Sequence, residues 1–189
     1  MRKRLLIFFL LCVTIICSGQ NHLSFRNIPI DGKLNDFVSK MKSIGYSSTY
    51  STDKAEILEG SFAGKEAKIY VLASPKTKIV YKVSVQYPEV KTWLRAKSDY
   101  LDIKYLFEKK YGKPGEVFEF FDNPFDEGDG YEIQALKADK GHYASYWDKE
   151  GGIIELSISN SCNIAISYED NINTKNADRE IDEDRLNDI

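Results

Sequence analysis

Between Lys78 and Tyr87 apolar side chains fall at every second position: Ile79, Tyr81, Val83, Val85 and Tyr87 alternate with Val80, Lys82, Ser84 and Gln86. That period separates the two sets onto opposite sides of a strand, so the chain must build a sheet with one covered face and one wetter face, as antiparallel sheets do. Ala55 to Phe62 and Lys65 to Ala73 predict two earlier strands, with turns at Ala63-Gly64 and Ser74-Pro75. Val117 to Phe121, Tyr131 to Ala138, His142 to Trp147, Ile153 to Ser159 and Cys162 to Tyr168 predict the later ones.

Two helical patterns interrupt the strands. Leu34, Phe37, Val38, Met41 and Ile44 share one face, with Asp31 as a candidate N-cap and Gly45 as the stop. Trp93, Ala96, Tyr100, Ile103 and Phe107 form the stripe of a longer helix over Thr92 to Tyr111, closed by Gly112 and Pro114. The first helix stops at Gly45-Tyr46 and the second at Tyr111-Gly112, about 66 residues later, and Glu66-Ala67-Lys68-Ile69 precedes Glu132-Ile133-Gln134-Ala135 by 66. The expected fold class is α+β: two helix-then-three-strand units, at 31–88 and 91–168, forming one antiparallel sheet with two helices on one face. With 189 residues, the length fits a single domain of about 100 to 200 residues, expected here over 20–170.

This order resembles the two-repeat fold of the beta-lactamase inhibitor protein and the PepSY-like exported domains. Ile28-Pro29-Ile30-Asp31-Gly32 before the first helix, Phe62-Ala63-Gly64 at a turn and Lys110-Tyr111-Gly112-Lys113-Pro114 after the second helix are similar to the punctuation of small exported bacterial proteins. The resemblance covers roughly 27–170 and implies export and binding rather than catalysis. It brings no active-site residues, and the two cysteine pairs of the inhibitor have no counterpart here.

Arg2, Lys3 and Arg4 followed by the apolar run Leu5 to Ile16 read as a secretory signal peptide over 1–19, with Ser18 and Gly19 as small residues at the cut. Its removal takes the formal net charge from -3 to -6. Cys17 offers another end to the leader, as the lipid-carrying first residue of a lipoprotein, although the preceding Ile16 is bulky where that cut prefers a small residue. The expected localisation is therefore periplasmic or secreted, with anchoring through Cys17 as the alternative and membrane contact only in that case.

Cys12 and Cys17 belong to the leader, which leaves Cys162 alone and an intrachain disulfide impossible in the exported chain. Its apolar neighbours at period two predict a buried structural thiol on a strand. Two distant histidines, His22 and His142, supply neither a base for that thiol nor a metal set, and no metal or cofactor is expected. Gly128, Gly130, Gly151 and Gly152 precede no helix that opens a phosphate loop, and no Gly-x-Ser-x-Gly elbow occurs. Asp122, Asp126, Glu127 and Asp129 lack the spacing of a calcium loop and read as a solvated turn. With 26 basic against 29 acidic residues there is no footprint for nucleic acid. The acidic segment 171–189 has no core stripe and reads as a frayed helix or flexible tail.

Aromatic residues are concentrated between Phe118 and Trp147, and both strand parities carry them: Tyr143 and Trp147 lie on one face, Tyr146 on the other. Whichever set faces outward forms a rigid binding patch, so Tyr143, Tyr146, Trp147, Phe118 and Phe120 are the candidate binding residues, and no catalytic residue is assigned. The expected function is a non-catalytic exported binding or inhibitor-like domain acting on a cell-envelope or extracellular protein. The alternatives are a carbohydrate-binding module using exposed aromatics and a small hydrolase with a carboxylate pair.

Overall fold

The computed structural model describes residues 21–187, so the leader and the lipid-bearing alternative at Cys17 lie outside the described residues. The described residues open with a hairpin of β1 (Ser24–Phe25) and β2 (Ile28–Pro29). Arg26 and Asn27, at φ 51° and 64°, give this two-residue turn the pair of positive angles its twist requires. α1 (Leu34–Ser43) follows, then the strands β3 (Ser47–Ser51), β4 (Ala55–Phe62), β5 (Lys65–Ala73) and β6 (Val80–Gln86). After α2 (Trp93–Tyr111) come β7 (Glu116–Phe121), α3 (Glu132–Lys137), β8 (Gly141–Lys149), β9 (Gly152–Ile158) and β10 (Ile164–Asp170), and α4 (Asn171–Asn187) ends the described chain.

The expected single sheet of two helix-then-three-strand units is overturned. Among the described residues there are two sheets, the β1-β2 pair and an eight-stranded sheet ordered β3-β4-β5-β6-β10-β9-β8-β7, together with four helices. α1 and α2 are each followed by four strands, and the last strands of the two meanders, β6 and β10, pair antiparallel at the centre. The 66-residue correspondence dissolves too, since Glu66 to Ile69 lie in β5 whereas Glu132 to Ala135 lie in α3. Tyr131, Ile133 and Ala135 mimic a strand's alternation, but Glu132, Ala135 and Leu136 are buried together from one short helix.

One face of the large sheet is the core. Leu58, Ile69, Val83, Ile166, Leu156 and Ser145 lie on it and are buried. α1 packs on β4 and β5, and α2 on β9 and β10, each over its own meander. Trp93 meets Tyr143 edge-on at 4.7 Å, and Phe107 meets Trp147 at 5.5 Å and Tyr168 at 6.3 Å. Tyr100 and Ser145, both buried, share a 2.6 Å hydroxyl contact, so the polar atoms taken under the helix are satisfied. In β6 the covered positions are Val80, Val83 and Val85: a register shift opposite Leu72 and Ala73 makes Tyr81 an extra residue and reverses the parity expected of Ile79 and Tyr81.

Three local expectations need correction. α1 is capped by Lys33 without a side-chain bond, and Asp31 instead accepts from Asn173 Nδ2 at 3.2 Å. Cys162 lies in the turn before β10 at φ 56°, buried, its N–H donating to Ser159 O and its carbonyl accepting from Val90 N–H. The acidic segment, expected as a frayed helix or flexible tail, is the helix α4, and it is docked along its first turns. It docks by hydrogen bonds, which is why it shows no apolar stripe: Asn173 Nδ2 donates to Ile30 O and Val80 O, and Glu180 accepts from the N–H groups of Lys76 and Thr77 and from the Thr77 hydroxyl. Burial opposes ionisation of Glu180, but these donors outweigh it and hold the carboxyl below its ordinary range.

Burial, and then the charge of Glu89, pushes the Cys162 thiol up. The folded protein is expected to react with Ellman's reagent at neutral pH on the order of 100-fold or more slowly than in guanidinium, because a buried, protonated thiol reacts only after the turn opens. Equal rates in the two solvents would show that the turn is not closed.

Candidate functional site

β7, β8 and β9 leave their second face uncovered. Phe118 and Phe120 from β7 are 41% and 47% exposed, and Tyr146 of β8 meets Phe118 edge-on at 6.0 Å. Next to them His142 tilts against Phe120 at 4.8 Å. The rings stand in a hollow of about 430 Å³ whose floor holds Ala144 and Ser157, with Leu136 and Asp139 at its α3 end. Small floor residues between large rings make the hollow: Phe118 is paired across the ladder with Ala144, and Ala144 with Ser157.

The five candidate aromatics are thereby divided. Phe118, Phe120 and Tyr146 face the hollow, whereas Tyr143 and Trp147 are 3% and 2% exposed and lie under α2. The two buried rings are core residues and offer no stacking surface. Their polar atoms are used internally, Tyr143 Oη donating to Glu127 and Trp147 Nε1 donating to Gly112 O. Sequence reasoning missed the acidic framing of Tyr146. Glu116 is its cross-strand neighbour on β7 and Glu155 on β9, so one row of the open face reads Glu116, Tyr146, Glu155. Neither carboxylate has an ion-pair partner among the described residues. Burial, and then the charges of Glu155 and Glu116, raise the Tyr146 phenol above its ordinary value. The signal was present only as spacing across three strands, which no local pattern displays.

His142 Nε2 lies 3.2 Å from Asp122 Oδ2, and Lys140 approaches the same oxygen at 3.6 Å. The hydrogen bond with His142 holds the Asp122 carboxyl below the usual carboxylate range. This pair engages no hydroxyl or thiol among the described residues, and the imidazole forms part of the wall of the hollow. No group of three or more metal-ligating side chains occurs among the described residues. No described helix is long and apolar enough to cross a membrane.

Two other places compete. A hollow of about 440 Å³ opens beside Glu59, Lys68, Tyr70 and Gln86, but its charges face each other, Lys68 Nζ lying 4.0 Å from Glu59. A smaller cleft of about 260 Å³ holds Asp99, which is gripped by Lys65 at 2.6 Å and Arg95 at 3.0 Å. Glu66, at the rim of both, has no ion-pair partner among the described residues, but neither hollow gathers aromatic rings as the β7–β9 face does, with three rings beside two unpaired carboxylates. Neither family models, curated proteins nor solved structures give a match to this chain.

Proposed function

We propose that this protein is an exported, non-catalytic binding domain that docks a cell-envelope or extracellular protein on the open face of β7, β8 and β9. The observation that carries this reading is the exposure of Phe118 and Phe120 beside the half-buried ring of Tyr146, framed by Glu116 and Glu155 without counter-ions among the described residues. Rigid aromatic anchors with a polar surround are what protein-docking surfaces use. The carbohydrate alternative is less well served, because Phe118 stands at 62° to Phe120 and 82° to Tyr146. Rings so inclined clasp a side chain; they do not form the flat row on which a sugar chain stacks.

The test is selection of binders from a displayed random-peptide library, followed by the double variant Phe118→Ser, Phe120→Ser. Loss of the two anchors is expected to weaken the selected peptides by about 100-fold or more, while the fold is retained at a cost of about 1 to 3 kcal/mol, since the rings contact Tyr146 and His142 but bury no core. Peptides that bind the double variant unchanged would place the docking surface elsewhere. A glycan-array signal abolished by the same variant, with no peptide enriched, would replace this reading with the carbohydrate one.

A further inference from the structure

We infer that β7 is a strand-addition edge: an extended segment of the partner pairs antiparallel with it, setting an arginine or lysine against Glu116 and apolar side chains against Phe118 and Phe120. This rests on the open face being the docking surface and states how the partner engages it. β7 is terminal in the eight-stranded sheet and pairs only with β8. The phase of its ladder follows from one bond, Asp122 N–H to Lys140 O at 2.8 Å, between residues directly opposed in the β7–β8 register. Hydrogen-bonded pairs alternate along an antiparallel ladder, so Glu116, Phe118 and Phe120 turn their backbone groups toward β8, and Val117, Glu119 and Phe121 turn theirs outward. Those three N–H and three C=O groups find no protein partner among the described residues.

The two edges differ in regularity. β3 is broken by a register shift between Ser48 and Tyr50 and carries mostly Ser and Thr, a common way to blunt an edge. β7 is regular from Glu116 to Phe121. A strand added beyond it extends the row Glu116, Tyr146, Glu155 by one position. A guanidinium there pairs with Glu116 and extends over it toward the Tyr146 ring, two groups suited to a cation, while Glu155 beyond them adds to the negative field. Glu119, on the other side of the strand, is already held by Lys104 and makes no such demand.

A second copy of this chain does not meet that demand. Antiparallel β7–β7 pairing centred on Phe118 sets Glu116 against Phe120, and centring on Glu119 opposes two glutamates, while β7 contains no cation to offer. The occupant is therefore a different protein with a basic and apolar residue alternating on one face.

The probes are a fluorescein-labelled peptide Val-Thr-Val-Thr-Arg-Thr, its counterpart with Glu in place of Arg, and an Arg peptide N-methylated on the amides that face β7, titrated against the folded protein by anisotropy. The Arg peptide is expected to bind, the Glu peptide to bind on the order of 10-fold more weakly or worse, and added salt to weaken the Arg peptide selectively. Val117→Pro removes one outward N–H and leaves the β8 ladder intact, so it is expected to abolish binding with the fold retained. The N-methylated peptide tests the same bonds on the unaltered protein. If Val117→Pro and N-methylation leave affinity unchanged while Phe118→Ser, Phe120→Ser destroys it, edge addition is overturned and face docking stands. Absence of binding by the Arg peptide, or a protein dimer dispersed by Val117→Pro, overturns the inference outright.

Discussion

Gly151→Ala is expected to lower the unfolding free energy by about 3 to 5 kcal/mol, read as a shifted urea midpoint at constant slope. Gly151 sits at φ 87°, and a β-carbon there would lie 2.2 Å from Asn21 O, 2.8 Å from His22 C and 2.8 Å from Leu23 N. These are backbone atoms of the N-terminal segment, so no side-chain rotation relieves the overlap. Either the β8–β9 turn or the strand entry beside it must move, and Asn171 N–H then loses its 2.9 Å bond to Gly151 O. Gly64→Ala is the control: its φ of 80° carries the conformational strain, but nothing lies within 4 Å of the new methyl. It is expected to cost only about 1 to 2 kcal/mol. Equal effects at the two positions would show that the N-terminal segment does not pack on Gly151.

Asp170→Ala is expected to cost a further class of energy, about 3 to 5 kcal/mol, because it strands donors instead of creating overlap. The Asp170 carboxylate, wholly buried, accepts from Leu23 N–H at 2.9 Å, Ile172 N–H at 3.1 Å and Asn173 N–H at 2.9 Å, and lies 3.0 Å from His22 Nδ1. One side chain thus joins the chain's entry, the end of β10 and the first turn of α4, the job of an N-cap extended to a distant segment. Hydrogen exchange at Leu23, Ile172 and Asn173 should quicken together in the variant. Quickening confined to α4 would mean that the N-terminal segment is held by its apolar contacts alone.

Periodic patterns reveal the elements that bury one stripe or one parity, and little else. α2 was legible from Trp93 to Gly112, and α1 from Leu34, Phe37, Val38 and Met41, because each packs a single stripe on the sheet. β3 has no legible pattern, since all five of its residues are exposed at an edge. The docking of α4 was illegible for another reason: its anchors are Asn173, Ala177 and Glu180, two of them polar, and hydrogen-bonded docking leaves no hydrophobic periodicity. The division of the aromatics was open because both parities carry them. Only the seating of Trp93, Tyr100 and Phe107 over Tyr143 and Trp147 decides that Phe118, Phe120 and Tyr146 look outward.

The β6–β10 pairing has a consequence for how the molecule assembles. Every other ladder in the large sheet joins strands consecutive along the chain, whereas this one joins residues roughly 80 positions apart, so its loop-closure entropy must be overcome at a single junction. Each meander forms from local contacts, and until the junction closes β6 and β10 are both raw edges, alternating buried and open side chains over a full strand length. The β10 of a neighbouring chain offers β6 the same five partners, Ala165 to Glu169, and the same Lys82–Glu169 ion pair. Refolding at high concentration therefore favours pairs of chains that have traded halves across the segment between Gln86 and Trp93, while dilution returns each strand to its own chain.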